Sequence, residues 1–453
     1  MTNWGVVGYF HTNDSSGCAL MKHSYEAARE RLYELQQFGI HLGLDTISSL
    51  LSELGNPQER IPVLHVAGTN GKGSVAAITA SILQAAGIRV GLYTSPHLLD
   101  FSERIQVQGL CIPEDRVVDL FNTIHALPSF TVPPTFFEVA TCMAFQYFAE
   151  ERVEIAVLEV GLGGRFDATN VCRPIGTIIT NISFDHEKHL GSSLEAIAFE
   201  KAGIVKRNVP LVIGPVNPSV AGVLEEQARR KQARTFRFGG EFRRISLLSG
   251  AFDFIGMHRK YVNLQCALDG EHQTVNAACA VALLEACAMT GIRIPERAVR
   301  QGLEQVSWPG RLERLRRHPE ILCDGAHNQA AADCLKIHLQ ARLSGEQERR
   351  LILMVGMMQD KNLSVFLKAL APLADAVILT RINSSRAATV RALKEALPVI
   401  DHPAYECESP EAAFDLATGL ASENDLICVT GSLFLVGHVK SLITGRTYEP
   451  VLG

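Results

Sequence analysis

The chain has no excess of positive charge: 43 Lys and Arg stand against 48 Asp and Glu, a formal charge of −5. That excludes a protein binding nucleic acid over a broad basic face, though not a local basic pocket. Aromatics are scarce, with 2 Trp and 8 Tyr, so a stacking platform for single strands is not expected. No uninterrupted apolar run reaches the ~18 residues of a membrane-spanning helix. The 11 cysteines are odd in number and include no Cys-x-x-Cys pair. Several, such as Cys323 and Cys428, lie in apolar runs. They are expected to be buried free thiols of a reducing compartment, not a disulfide frame or zinc site. Residues 1–22 show no basic segment followed by an apolar one, so a loose arm is expected there rather than a secretion signal. Internal repeats and low-complexity tracts are also missing. The expectation is a cytoplasmic monomer with neither a membrane nor a nucleic-acid partner.

What is there is a long globular chain: 453 residues, 47% hydrophobic and 20% charged. That length suits two large domains, each with its own core. Near-continuous apolar strands alternate with helices: Ile61–Ala67, Ile88–Tyr93, Glu154–Val160, Ile175–Asn181 and Pro210–Ile213 are the strands. Helices are expected over 24–38, 73–86, 135–151 and 194–202. Such strands imply a parallel sheet covered on both faces. Residues 234–269 change texture, and short alternating runs there suggest a small antiparallel patch, followed by a helix over 274–289. Trp308-Pro309-Gly310 is a turn signal and marks the expected boundary between residues 1–307 and 308–453. Beyond it, strands at 321–324, 350–355, 376–380 and 425–430 alternate with helices. The fold class expected is therefore α/β, a phosphate-loop domain with a small antiparallel patch and a smaller Rossmann-like α/β domain.

The strongest local signal is the strand–loop–helix run around Gly68-Thr69-Asn70-Gly71-Lys72-Gly73-Ser74. Glycines let a loop bend around an anion, and successive N–H groups at a helix N-terminus hold phosphate. Lys72 would neutralise a transferring phosphoryl group, and Ser74 would reach a phosphate or Mg²⁺. The usual G-x-x-x-x-G-K-[ST] pattern is not met, because Val66 stands at its first position and Gly73 precedes Ser74. Glu159 closes an apolar strand, where an open sheet forms its ligand crevice. His186 follows another such strand.

The loop resembles that of the Mur ligase superfamily, in the form used by dihydrofolate synthases and folylpolyglutamate synthases. Collinear support runs from about residue 24 to 442: YTSPHL (93–98), SERI (102–105), EVGLGGRFDATN (159–170), TNISFDHEKHLG (180–191), FEKAGIVK (199–206), WPGRLE (308–313), DGAHN (324–328), GMMQDKN (356–362) and VTGSLFLVG (429–437). The short lead ahead of Gly68 favours the folate branch over the cell-wall ligases. The resemblance implies an ATP-dependent ligase acting through an acyl phosphate, with ATP as co-substrate, two Mg²⁺ sites and a monovalent cation. It implies Ser95, Glu159 and His186 as metal ligands, with Lys201 carbamylated. Asn276, Arg311 and Asp324 would contact the nucleotide, and His327 and Ser432 the incoming L-glutamate. Thr135, Phe137, Asp167 and Ala168 would surround the pterin: a carboxylate pairs with its N–H donors and an aromatic ring stacks on its face. The implied substrates are dihydropteroate and tetrahydrofolates, which makes the chain a dihydrofolate synthase that also elongates polyglutamate. Elongation alone is one alternative. A phosphate-loop NTPase switch with a protein-binding second domain is another, and Glu159, His186 and Lys201 together argue against it.

Overall fold

The computed structural model describes residues 24–39, 43–128, 132–344 and 349–449; the expected loose arm at 1–22, with Cys18, lies outside them. Among the described residues, eight strands form the first sheet. They are β1 (Val63–Ala67), β2 (Val90–Tyr93), β3 (Ile105–Val107), β4 (Leu110–Cys111), β5 (Ile155–Glu159), β6 (Pro174–Ile179), β7 (Leu211–Ile213) and β8 (Thr235–Arg237). Their order is β4-β3-β2-β5-β1-β6-β7-β8, parallel except for the β3–β4 hairpin. The apolar runs are the central strands, buried at every position of β1, β2 and β5. β1 lies between β5 and β6, with Val66 opposite Glu159 and Ala67 opposite Ile179. The loops after these three strands therefore leave the sheet side by side.

Helices cover both faces. Helix Lys72–Ala85 packs with helices Glu271–Ala286 and Glu296–Gln305 on one side. On the other, helix Phe136–Glu150 packs with Tyr25–Glu34, Asp45–Glu53 and Glu114–His125. The start of helix 136–150 is a capping box, with Thr135 Oγ1 accepting from the Glu138 N–H and Glu138 answering the Thr135 N–H. A three-stranded antiparallel sheet, β9 (Arg243–Ser246), β10 (Phe252–Ile255) and β11 (Lys260–Leu264), is the expected patch. It begins later than its sequence texture suggests, because β8 adds in parallel to β7.

The second sheet holds, among the described residues, β12 (Glu313–Arg317), β13 (Glu320–Cys323), β14 (Leu351–Val355), β15 (Ala376–Thr380), β16 (Ala404–Cys407) and β17 (Leu426–Thr430). Its order is β12-β13-β17-β14-β15-β16, with β12 alone antiparallel. Leu98, from the first domain, sits in an apolar cluster of the second with Leu435, Val436 and Val439. No helix among the described residues is long and apolar enough to cross a membrane. Ten cysteines are described, none of them in a disulfide; six are buried and Cys111 is exposed.

Candidate active site

The loops after β1, β5 and β6 open into one cleft of about 1110 Å³, closed on its far side by the second domain. Every site residue singled out from the sequence lines it. The phosphate loop is braced from behind. Thr180 Oγ1 donates to the Asn70 carbonyl (2.6 Å), and the Asn70 N–H donates to Asn181 Oδ1 (3.0 Å). No side chain caps helix 72–85, so its first N–H groups stay open to an anion. Gly71 is left-handed at φ +78°, and a Cβ on it would come within 2.6 Å of Asn276 Oδ1. Gly73, the residue that breaks the usual loop pattern, has its own reason: a Cβ there would meet the Trp308 indole at 2.8 Å. Lys72 Nζ rests on the Thr69 carbonyl at 3.1 Å.

Glu159 is 5% exposed, and its Oε2 accepts from the Ser95 N–H at 3.1 Å. Burial raises its pKa against the pull of Lys72, Arg311 and Arg104. Lys201 is also buried, donating to the Gly68 carbonyl at 2.9 Å; desolvation and then the Lys72 charge lower its pKa to about 7. A group of three or more His, Cys, Asp or Glu that might hold a metal is absent among the described residues. Hydroxyl, phosphate and water oxygens would have to complete any site. A buried strand-end carboxylate without a salt bridge among the described residues, beside a serine, fits a hard divalent cation on those terms.

Asp185 precedes His186, but their side chains meet only at 3.9 Å. Its carboxylate instead faces the second domain, accepting from Lys361 Nζ (2.5 Å) and Asn328 Nδ2 (3.3 Å) and meeting His327 Nε2 (3.3 Å). Burial opposes its ionisation, yet the His327 hydrogen bond and the surrounding cations hold its pKa far below the carboxylate range. His186 has a left-handed backbone (φ 53°), and burial lowers its pKa to about 4. Such a neutral imidazole suits a metal ligand.

On the substrate wall, Thr135 caps a helix, and the Phe137 ring lies over Gly161, where a Cβ would be 2.6 Å from it. Asp167 is a loop keystone. Oδ1 accepts from the Thr169 N–H and hydroxyl (3.0 and 2.5 Å), and Oδ2 from the Leu162 N–H (2.8 Å). Ala168, buried, follows it at the start of a short turn of helix. In the second domain, both Asp324 oxygens accept backbone N–H groups, of Leu312 and Ala326, at 2.9 Å each. This fixes the linker just after Arg311, where Leu312 is held at φ 47°. Asn276 donates to Gln273, and Ser432 Oγ caps helix Leu433–Thr444.

Two sequence profiles match this arrangement: the Mur ligase middle domain over residues 66–284, and the Mur ligase glutamate ligase domain over 310–433. The chain belongs to the Mur ligase family. The dihydrofolate synthase/folylpolyglutamate synthase of Bacillus subtilis (strain 168) is 34% identical over 428 residues, spanning 92% of this Mur ligase and 98% of that protein. E. coli FolC in complex with DHPP and ADP superposes with a TM-score of 0.84 at 32% identity, covering 94% of this chain and 99% of that one. The bifunctional folylpolyglutamate synthase/dihydrofolate synthase of Yersinia pestis, complexed with AMPPNP and Mn ion, gives 0.83 at 31%, covering 93% and 98%.

Several residues that line or brace this Mur ligase cleft were not singled out from sequence. Lys361 and Asn328 lie in the GMMQDKN and DGAHN runs, but their partner Asp185 is 176 and 143 residues away. Trp308 read only as part of a turn. Arg104, in the SERI run, is 4% exposed and lines the cleft, and no spacing rule pointed to it.

Proposed function

We propose that this Mur ligase joins L-glutamate to dihydropteroate and extends the γ-glutamyl tail of tetrahydrofolates, using ATP. One observation carries the reading: an open helix N-terminus with Lys72, the buried carboxylate of Glu159 and an aromatic wall at Phe137 share one cleft. Those are the parts needed to bring a triphosphate against the carboxylate of a flat heteroaromatic acid. The named activities and bound ligands of the relatives support it.

In the proposed reaction, the acceptor carboxylate attacks the γ-phosphorus of ATP, forming an acyl phosphate and releasing ADP. The glutamate amine attacks the acyl carbon, and inorganic phosphate leaves. The helix N-terminus, Lys72 and Arg311 spread the transferring charge, which is the main route to rate in phosphoryl transfer. Asn276 and Asp324 hold the nucleotide, and His327 and Ser432 face the amino acid. The second domain excludes water from the acyl phosphate. Ser95 and Glu159 would hold one Mg²⁺, and His186 with carbamylated Lys201 a second; these ions supply neutralisation between the two anionic substrates. The lowered pKa of Lys201 favours that modification, since a neutral amine adds to CO₂ and releases a proton. We also read the working units as 1–307 and 308–453, joined at Trp308, in a cytoplasmic monomer; the thiols suit a reducing compartment.

The test is product-resolved ligation with Mg-ATP, labelled glutamate and either dihydropteroate or tetrahydrofolate. Product from both acceptors is expected. Product from tetrahydrofolate alone would leave an elongating enzyme. ATP hydrolysis with no product from either would remove the ligase reading.

A further inference from the structure

Arg104 is a buried cation with unfilled bonding capacity. Its Nε donates to His97 Nδ1 at 2.9 Å. Among the described residues, Nη1 and Nη2 make no hydrogen bond and no ion pair with protein, although the residue lines the cleft. Its Cζ lies 5.1 Å from the centroid of the Phe136 ring, within the Thr135–Glu138 wall. Burial lowers its pKa, but guanidinium remains charged at any working pH. A buried cation with no anion bonded to its Nη atoms is costly, and a fork of two free N–H edges matches a carboxylate.

The backbone fixes where that fork stands. Tyr93 pairs with Ile105 across β2 and β3, and the Thr94 N–H donates to the Arg104 carbonyl at 3.0 Å. Arg104 is thereby held against the turn that carries Ser95, whose N–H binds Glu159. The guanidinium lies against the Phe136 ring of the aromatic wall, and the cleft it lines also takes in Ser95 and the phosphate loop, so a gap between wall and loop is where its free edges are on offer. A carboxylate about to accept phosphate from ATP, with its aryl group on that wall, has to lie in this gap.

We propose that Arg104 binds the acceptor's own carboxylate, the one that becomes the acyl phosphate, and that a buried relay aims it. The inference rests on the ligase reading above. Because His97 Nδ1 accepts from Arg104, its Nε2 carries the proton and faces Tyr33 Oη at 3.4 Å. The Tyr33 hydroxyl donates in turn to Glu449 Oε2 at 3.2 Å. Glu449 also accepts from the Phe101 N–H (3.0 Å) and pairs with Arg29. His97, Tyr33 and Glu449 are thus positioning residues, the last supplied by the segment after helix Leu433–Thr444.

The experiment compares binding of dihydropteroate with that of its carboxamide, which differs only at the carboxylate, in the full-length protein without nucleotide. Wild type is expected to prefer the acid by about tenfold to a hundredfold. R104Q should bring that ratio close to one while the carboxamide binds nearly as before, and R104K should fall between. Y33F should lower the ratio part-way, leaving the Kd for ATP unchanged. Equal weakening of both ligands in R104Q would overturn the assignment and leave a packing role. Should R104Q not fold, R104K decides the matter: an undiminished ratio there overturns it. A wild type that binds the acid no better than the amide also overturns it, with the ligase reading intact. A wild type that binds neither overturns both.

Discussion

At the scale of single residues, burial decides which charges do chemistry. Glu159 lies beneath the cleft without a salt bridge among the described residues, so it costs stability in the free protein. Glu159→Gln is expected to keep or raise Tm while ligation falls at least about a hundredfold. Lys72→Ala should lose activity to a similar degree; calorimetry alongside initial rates checks both. Asp167 carries two duties. Its oxygens already hold the N–H groups of Leu162 and Thr169, so Asp167→Ala should impair dihydropteroate and tetrahydrofolate use together, read as KM for each acceptor. Behind it, His65 Nε2 meets Thr169 Oγ1 at 2.7 Å, and burial lowers this histidine's pKa to about 3, so the ring stays neutral. The residues legible in the sequence were those whose chemistry a motif announces, such as Lys72 in its glycines. Arg104 was not, since its meaning lies in the partners its Nη atoms lack among the described residues.

At the scale of elements, the strands with continuous apolar character were legible because they are central and buried on both faces. β9 and β12, with Arg243-Arg244-Ile245-Ser246 and Glu313-Arg314-Leu315-Arg316-Arg317, are edge strands facing solvent and show no apolar run. The helices at 45–53, 114–125 and 218–230 were missed because their apolar faces are thin stripes, between serines in the first and between charges in the other two. Trp308 against Gly73 couples the linker to the phosphate loop. Gly73→Ala should weaken ATP binding, and adding Trp308→Ala should restore part of it; Kd values across that cycle would reveal the coupling. The segment at Glu449 is pH-sensitive. Burial and the adjacent Asp100 raise its pKa from 4.5 to about 7. The folded chain thus retains a proton that the unfolded chain releases above pH 4.5, so this contribution to stability declines as pH climbs to about 7. Asp100 shifts downward and loses its contribution only in more acid solution. Tm measured from pH 4.5 to 7.5 should fall less steeply in Glu449→Gln than in wild type.

At the scale of the whole molecule, the two domains were legible as two rounds of strand and helix, whereas their mutual contact was not. Lys361, His327 and Asn328 reach Asp185 only once both sheets are folded and apposed. Asp185→Ala removes the shared partner of three side chains and leaves Lys361 buried without it. It should widen the particle by small-angle scattering and raise KM for glutamate more than for ATP. Elsewhere along the contact, Leu98, Gly310, the start of helix 433–444 and Tyr448 crowd together; a Cβ on Gly437 would come within 2.2 Å of the Leu98 carbonyl. That stretch leaves no slack. Any side chain at Gly437 would therefore have to displace the first domain's own backbone at Leu98, so a substitution far from the catalytic groups would still reset how the two domains meet.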